Sequence, residues 1–208
     1  MIVINFKTYK QGKEVLKLIK VIEKYLPNSI ICLQPTDLHF SKQTKLKVYS
    51  QNIESFESGR NTGHIITKAI KLNGAKGSLL NHSEYPVSIK QINLTIKKCK
   101  ELGIKLIVCS SSLKEIKEIK KLRPYAIAYE DKNLISTGKS ITEHKSKDIK
   151  VFVKILKNTK IIPLCGAGIS SAKDVKEAKK LGCKGVLISS AIVKTKNPRK
   201  ILLDLKKL

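Results

Sequence analysis

Short apolar runs alternate with amphipathic segments along this 208-residue chain, and that alternation limits the fold more than any other feature. The first run, Ile2 to Ile4, is continuous and β-branched, as expected of a parallel strand buried on both faces. Apolar residues then recur at helical spacing from Val15 to Leu26 with lysines between them, which predicts a helix with one solvated face. The pattern repeats eight times, so each unit has about 26 residues.

The remaining units follow the same order. The further predicted strands are Ile30 to Leu33, Leu46 to Tyr49, Gly77 to Leu80, Ile104 to Val108, Tyr125 to Tyr129, Ile161 to Leu164 and Gly185 to Ile188. The further predicted helices are Asp37 to Lys42, His64 to Leu72, Val87 to Leu102, Leu113 to Leu122, Lys147 to Lys157, Ser171 to Leu181 and Pro198 to Leu205. Gly103 and Gly182 each follow a predicted helix, where glycine is the favoured C-cap.

Strands and helices that alternate at this density predict an α/β protein with a parallel sheet. Eight units would close the sheet into a (β/α)₈ barrel of the short form with compact loops, since such barrels start at roughly 200 residues. The alternative, an open doubly wound sheet, normally has a glycine-rich turn after its first strand, whereas Asn5 to Thr8 contains no glycine. The barrel is favoured, and no linker divides the chain, so residues 1–208 are expected to form one domain.

The charge is strongly basic: 42 Lys and Arg against 16 Asp and Glu give a net charge of +26. Such a field attracts anions, whether nucleic acid or phosphorylated metabolites. Only three of the cations are arginines, the residue suited to specific phosphate and base recognition, and the lysines are spread over nearly every helix. Specific nucleic-acid binding is therefore not predicted, although weak, salt-sensitive, non-specific binding fits the charge.

Cysteines and histidines show no spacing typical of a disulfide framework or a zinc site. The five cysteines are odd in number and widely spaced, and no C-x-x-C or H-x-x-x-H pair occurs. We expect no metal, no cofactor and a cytoplasmic location, since free thiols fit a reducing compartment. No apolar run approaches the ~18 residues of a membrane span, so no membrane association is expected.

Polar residues that follow the strands are the candidate site, because barrel chemistry gathers at the carboxyl ends of the strands. Lys7 follows the first strand, His82 the fourth and Glu130 the sixth. Glu130 comes directly after an apolar run, so desolvation would raise its pKa toward that of a general base. His82 precedes a predicted helix, whose positive N-terminus would favour a neutral ring.

Two small-residue segments supply the predicted phosphate site. Gly166 and Gly168 follow the seventh strand, and Ser189 and Ser190 follow the eighth, each with backbone N–H groups ahead of a helix. Each residue alone has an ordinary structural explanation, such as a solvated lysine or a tight turn. Their joint placement at strand ends indicates an enzyme that abstracts a proton beside the carbonyl of a small phosphorylated substrate.

At these residues the chain resembles the triosephosphate isomerase family, and more closely its shorter archaeal branch. The resemblance rests on six blocks in the family's order: Asn5 to Tyr9, Asn61 to Ile65, Leu79 to Glu84, Ala128 to Glu130 with Thr137 and Gly138, Leu164 to Ser170, and Ser189 with Ser190. It implies reversible isomerisation of glyceraldehyde 3-phosphate and dihydroxyacetone phosphate, in glycolysis and gluconeogenesis.

The resemblance also implies the residue roles. Glu130 would be the base, His82 the electrophile and Lys7 the cation that stabilises the enediolate. Asn5 and Phe6 would join Lys7 in contacting the substrate, and Ile135, Gly168, Ser189 and Ser190 would hold the phosphate. A sugar-phosphate epimerase, the rival phosphate-binding barrel, would need metal-binding His and Asp at strand ends, which the sequence lacks.

Two further expectations concern the sixth loop and the assembly. Asp131 and Lys132 stand where relatives commonly have prolines, and Ser136 stands where they have glycine, so loop closure should cost more conformational entropy. The resemblance implies a homo-oligomer. A dimer is the minimum, and many archaeal relatives form homotetramers. Thr62 would lie at the tip of a loop that reaches a neighbouring subunit.

Overall fold

Eight parallel strands form a closed barrel, as the computed structural model, which describes residues 1–131 and 140–208, shows. Each strand pairs with the next along the chain, and the eighth pairs with the first, so the predicted (β/α)₈ barrel is confirmed. The strands are β1 (Ile2–Asn5), β2 (Ile30–Leu33), β3 (Lys47–Ser50), β4 (Gly77–Leu80), β5 (Lys105–Ser110), β6 (Ala126–Tyr129), β7 (Ile162–Cys165) and β8 (Gly185–Ile188).

Helices surround the barrel in the predicted order. They are α1 (Lys13–Tyr25), α2 (Thr67–Leu72), α3 (Ile89–Leu102), α4 (Leu113–Leu122), α5 (Ile141–His144), α6 (Ser146–Leu156), α7 (Ala172–Lys180), α8 (Ser190–Val193) and α9 (Pro198–Lys206). Within the two described ranges, no helix is long and apolar enough to cross a membrane. Gly103 and Gly182 have φ angles of 69° and 100°, so both predicted caps use the freedom that glycine provides.

Three predicted helices differ from the structure. The segment predicted as a helix from Asp37 to Lys42 is a 3₁₀ helix over Pro35–Gln43, in which the Asp37 N–H donates to the Gln34 carbonyl. The helix predicted from His64 begins only at Thr67, because the residues before it run extended and Ile66 pairs with Glu54.

The third difference lies in the helix predicted from Val87, which begins at Ile89. Ser88 is its N-cap: the hydroxyl accepts from the Gln91 N–H, and the Gln91 side chain accepts from the Ser88 N–H. This capping box satisfies two of the otherwise unpaired N–H groups of the first turn and so fixes where the helix starts. The residues that precede it, including His82, consequently lie in a turn.

The core has two layers. Inside the barrel, one fully buried set of side chains meets on the barrel axis; it includes Val3, Tyr49, Leu79, Ile107, Leu164 and Leu187. Between the strands and the helices, a larger layer packs the alternate strand residues against the apolar faces of the helices. Side chains along each strand alternate between the two layers, so both faces of a strand are apolar. This explains why the strands appear in the sequence as continuous apolar runs.

Gly77 at the start of β4 provides a test of this packing. A Cβ atom there would collide with the Lys105 carbonyl and the Tyr49 ring, and backbone cannot move aside. We expect Gly77→Ala to lower the free energy of unfolding by about 3 kcal/mol, the upper end of ordinary overpacking costs. Urea denaturation measures this change.

The matched control is Gly103→Ala, since a Cβ at Gly103 meets nothing within 4 Å and only the positive φ is strained. Its expected cost is about 1 kcal/mol. Equal losses for the two variants would contradict the close packing at Gly77.

Candidate active site

A cavity opens at the carboxyl ends of the strands, and side chains from several loops meet in it. Its lining residues are Asn5, Lys7, Tyr9, His82, Glu130, Gly166, Gly168, Ile169, Ser170, Leu187, Ile188, Ser189 and Ser190. Polar groups from five separate strand ends thus converge on one small space. Such convergence in a concave site is what a binding or catalytic function requires.

Glu130 extends β6 by one residue into this cavity. Its N–H donates to the Ser110 carbonyl at 2.9 Å, which continues the ladder with β5 and fixes the backbone. The side chain is only 4% exposed, and its Oε2 atom has no hydrogen-bond partner among the described residues. Burial raises the pKa of this carboxyl, and the His82 ring, the Cys109 thiol and the Lys7 ammonium lower it again in part.

Gly166 sets the position of that carboxylate. Its N–H donates to the Tyr129 carbonyl at 3.0 Å, which brings the start of the loop after β7 against β6. A Cβ on Gly166 would lie 2.7 Å from Cγ of Glu130, closer than real Cβ contacts come. Glycine is therefore required here by the approach of the Glu130 side chain.

His82 lies in a turn that follows β4, and the turn itself fixes its protonation pattern. The Tyr85 N–H donates to the His82 carbonyl at 2.7 Å, and the Glu84 N–H donates to Nδ1 of the ring at 3.2 Å. A nitrogen that accepts from an N–H carries no proton, so the geometry favours the neutral tautomer with hydrogen on Nε2. Nε2 lies 3.7 Å from Oε1 of Glu130.

The prediction that His82 lies beside a helix N-terminus was wrong. Helix α3 begins seven residues later. The backbone N–H of Glu84, which lies in the turn, donates to the His82 ring in place of the helix terminus. The reason is the capping box at Ser88, which delays the helix and leaves a turn directly after β4.

Lys7 is held by both its backbone and its ammonium group. Its φ of 47° is unusual for a residue with a side chain, and flanking hydrogen bonds secure it: Oδ1 of Asn5 accepts the Lys7 N–H, and the Gln51 amide donates to the Lys7 carbonyl. The Nζ atom lies 2.6 Å from Oε1 of Glu84. The same glutamate therefore orients the cation with its carboxylate and the imidazole with its backbone.

Three polar hydrogens in the cavity lining have no acceptor among the described residues. The Gly168 and Ser190 N–H groups have no acceptor within the described residues, and the buried Ser189 hydroxyl has no partner there. Two neighbours differ from this pattern, because the Gly166 N–H is bonded to β6 and the Ser170 N–H to Asp174. The expectation that the whole segment from Gly166 to Ser170 presents free N–H groups was therefore wrong for these two residues.

The sequence-predicted residues separate into three groups. Asn5, Lys7, His82, Glu130, Gly168, Ser189 and Ser190 all line the cavity. The Phe6 side chain does not; it is buried in the layer between strands and helices. Ile135, Lys132 and Ser136 lie outside the described residues. No group of three potential metal ligands occurs in the part of the chain that the structure describes.

Sequence reasoning missed the supporting residues Gln51 and Cys109, and it gave Gly166 a different role. It placed Glu84 in the block that follows the fourth strand but assigned it no role, although Glu84 follows His82 by two residues. Gln51 carries no local signal, because it reaches Lys7 across 44 positions of sequence.

Replacing Glu130 tests its burial through stability. A raised pKa means that the folded protein binds this proton more tightly than the unfolded chain does, so stability falls as pH rises through the folded pKa. Glu130→Gln removes that ionisation. We expect the variant to exceed the wild type in free energy of unfolding by ~1 kcal/mol at pH 8, with the advantage shrinking toward pH 4.5.

Denaturant titration at the two pH values measures this difference. The exposed Glu118→Gln serves as the control and should change stability little at either pH. A Glu130→Gln variant that is less stable than the wild type at pH 8 would contradict a desolvated carboxylate.

Comparisons with known proteins show which family this chain belongs to. Residues 1–205 match the family model described as triosephosphate isomerase. Triosephosphate isomerase from Methanocaldococcus jannaschii is 38% identical over 99% of this chain and 98% of its own length. The enzyme from Sulfolobus acidocaldarius is 34% identical over 98% of this chain and 92% of its own length.

Among solved structures, triosephosphate isomerase from Bartonella henselae superimposes with a TM-score of 0.77 at 18% identity, covering 98% of this chain and 96% of the other. That similarity supports the fold. The family match and the archaeal relatives span nearly the full length of both chains, so they establish the family as well as the fold. This chain belongs to the triosephosphate isomerase family.

Proposed function

We propose that Lys7, His82 and Glu130 together carry out the reaction of the family in this chain. That reaction, which the chain catalyses, interconverts D-glyceraldehyde 3-phosphate and dihydroxyacetone phosphate in glycolysis and gluconeogenesis. The Glu130 carboxylate removes a proton from the carbon beside the carbonyl, and the electron pair moves through the carbon–carbon bond onto the carbonyl oxygen. The isomerisation is complete when the proton of the neighbouring hydroxyl has passed to the former carbonyl oxygen, which becomes a hydroxyl, and the Glu130 carboxyl has returned its proton to the former carbonyl carbon.

His82 and Lys7 stabilise the negative charge that develops. Nε2 of His82 donates a hydrogen bond to the carbonyl oxygen, which carries the negative charge in the enediolate. The Lys7 ammonium lowers the energy of the same charge. Because the Glu84 N–H occupies Nδ1, the ring is held in an orientation in which the hydrogen on Nε2 is available to the substrate. Fixed donors of this kind need no reorganisation during the reaction.

The substrate phosphate binds near Gly168, Ser189 and Ser190 in this proposal. The Gly168 and Ser190 N–H groups and the Ser189 hydroxyl supply donors that are unpaired within the described residues. Phosphate held there would direct the carbonyl end of a three-carbon substrate toward His82 and Glu130. Ile135 would add a contact from the sixth loop.

The observation that carries the proposal is the 3.7 Å approach of Nε2 of His82 to Oε1 of Glu130 inside the cavity. The two atoms face the same space without a hydrogen bond between them, so each is available to a substrate. One can donate while the other accepts, which is the pairing that enolisation needs.

Removing the base should therefore lower turnover and spare binding. We expect Glu130→Gln to reduce kcat by at least about 10³-fold with a small change in KM, because the amide keeps the shape and loses the proton acceptor. A coupled assay of glyceraldehyde 3-phosphate conversion measures both constants. Glu118→Gln, with an exposed side chain on α4, should keep wild-type values, and activity that survived Glu130→Gln would exclude Glu130 as the base.

The assembly proposed for this chain is a homo-oligomer, a dimer at least, in which the Thr62 loop reaches a neighbouring subunit. The loop is internally braced, since Glu54 accepts from the Ile65 N–H at 2.9 Å and contacts Nδ1 of His64 at 3.0 Å. Phe56 and Tyr85 expose apolar surface close by, 42% and 57% of each residue. Exposed aromatic side chains beside a braced loop are typical of a subunit interface.

We also propose a cytoplasmic location, because all five cysteines are free.

Disrupting the loop tip should separate the subunits. Light scattering should give the wild type at least twice the 23.2 kDa chain mass. Thr62→Arg should move the protein toward 23.2 kDa, because a bulky cation at the tip cannot enter a fitted pocket. Asn73→Arg, an exposed turn residue at the other end of the barrel, should leave the mass unchanged. A wild type at monomer mass would refute the proposed assembly.

A further inference from the structure

Two adjoining grooves lie at the end of the barrel opposite the active site. The larger has a volume of about 1140 Å³ and lies between the final turns of α4 and α6, where the chain enters β6 and β7. The smaller, about 510 Å³, continues from α6 toward the end of α7. They share the segment from Asn158 to Ile161, so together they form one continuous channel.

Positive charge lines this channel, which we call the basic channel. Its cationic residues are Lys100, Lys117, Lys120, Lys121, Arg123, Lys150, Lys154, Lys157, Lys160 and Lys184. No aspartate or glutamate is among the residues that line either groove. Within the described part of the chain, Lys121, paired with Glu118, is the one channel cation in an ion pair.

Four of the acidic residues lie at the active-site end of the barrel or in the Thr62 loop. Glu84, Glu130 and Asp131 follow strands at the active-site end, and Glu54 braces the Thr62 loop. Helices run antiparallel to the strands, so the lysines in the last turns of α3, α4 and α6 all end at the same pole. Lysines that look evenly spread in sequence are thereby concentrated in space.

We propose that the basic channel binds single-stranded nucleic acid through its phosphate backbone, as an activity separate from isomerisation. Lysine ammonium groups are hydrated point charges, suited to sequence-independent contact with phosphates. Pro124, Ile155 and Ile161 also line the channel, but Pro124 and Ile161 are buried, so the phosphate contacts carry the binding. A flexible single strand can follow a positively charged groove along its backbone, whereas a short duplex is stiff.

Other partners fit the channel less well. A second copy of this chain docked by the same face would place ten cations against ten, and like charges repel. Membrane binding requires exposed apolar side chains that insert below the headgroups, whereas Pro124 and Ile161 in the channel are buried. A polyanion that enters the channel satisfies both its shape and its charge.

Fluorescence anisotropy with a labelled 20-nucleotide oligo-uridine tests the proposal on the full-length protein. Each phosphate neutralised on a single strand contributes about −0.7 to the slope of log K against log salt. With roughly five to seven phosphates engaged, affinity should fall about 10²–10³-fold between 50 and 200 mM salt. Combining Lys120→Gln, Lys154→Gln and Lys160→Gln should weaken binding at least about 10-fold and reduce that slope by about 2.

A matched triple on the far side of the barrel controls for net charge. Lys13→Gln, Lys17→Gln and Lys68→Gln lie in the first two turns of α1 and α2, at the pole of the barrel opposite the channel. This control should change affinity less than about 2-fold, and isomerase turnover should be unchanged in both triples, which establishes that both fold.

Three outcomes would overturn the proposal. Equal weakening by the two triples would mean that the whole surface attracts polyanions. Displacement of the oligonucleotide by poly-glutamate at equal charge concentration would indicate an acidic protein as the partner. Channel-dependent binding to phosphatidylserine vesicles without oligonucleotide binding would indicate a membrane.

Discussion

The Glu130 carboxylate, buried at the end of β6 with one oxygen unpartnered among the described residues, is the constraint on which the site depends. A desolvated carboxylate costs stability, and the barrel supplies what keeps it in place: the ladder bond to Ser110, the missing side chain of Gly166 and the thiol of Cys109. The same burial that costs stability raises the basicity of the group. The closed barrel tolerates this loss of stability because the apolar side chains packed inside it do not include the Glu130 carboxylate.

Glu84 links the other two catalytic groups. Its amide selects the tautomer of His82 while its carboxylate contacts the Lys7 ammonium, so one turn after β4 positions both the hydrogen donor and the cation. Half of the Glu84 side chain is exposed, which places this ion pair at the mouth of the cavity. The charges in the site are thus coupled through a residue that does not line the cavity.

The sequence predicted the fold well, because β-branched runs such as Ile2 to Ile4 and caps such as Gly103 are local signals. It also predicted that Lys7, His82 and Glu130 would share one face, since parallel strands end together. The 3₁₀ helix at Pro35–Gln43 and the turn at His82 were not predicted, because weak local patterns do not specify hydrogen-bond register. The true role of Gly166 and the basic channel depend on residues that are distant in sequence and approach only when the barrel closes.

The most direct test is the titration of Glu130 itself, followed by ¹³C NMR of glutamate side-chain carboxyls in the free enzyme. The Glu130 resonance is assigned as the one missing from Glu130→Gln. The account predicts a titration midpoint above the ordinary 4.5, and a further rise when Lys7→Met removes the ammonium that lowers it. A midpoint at or below 4.5 would contradict a carboxylate made basic by desolvation.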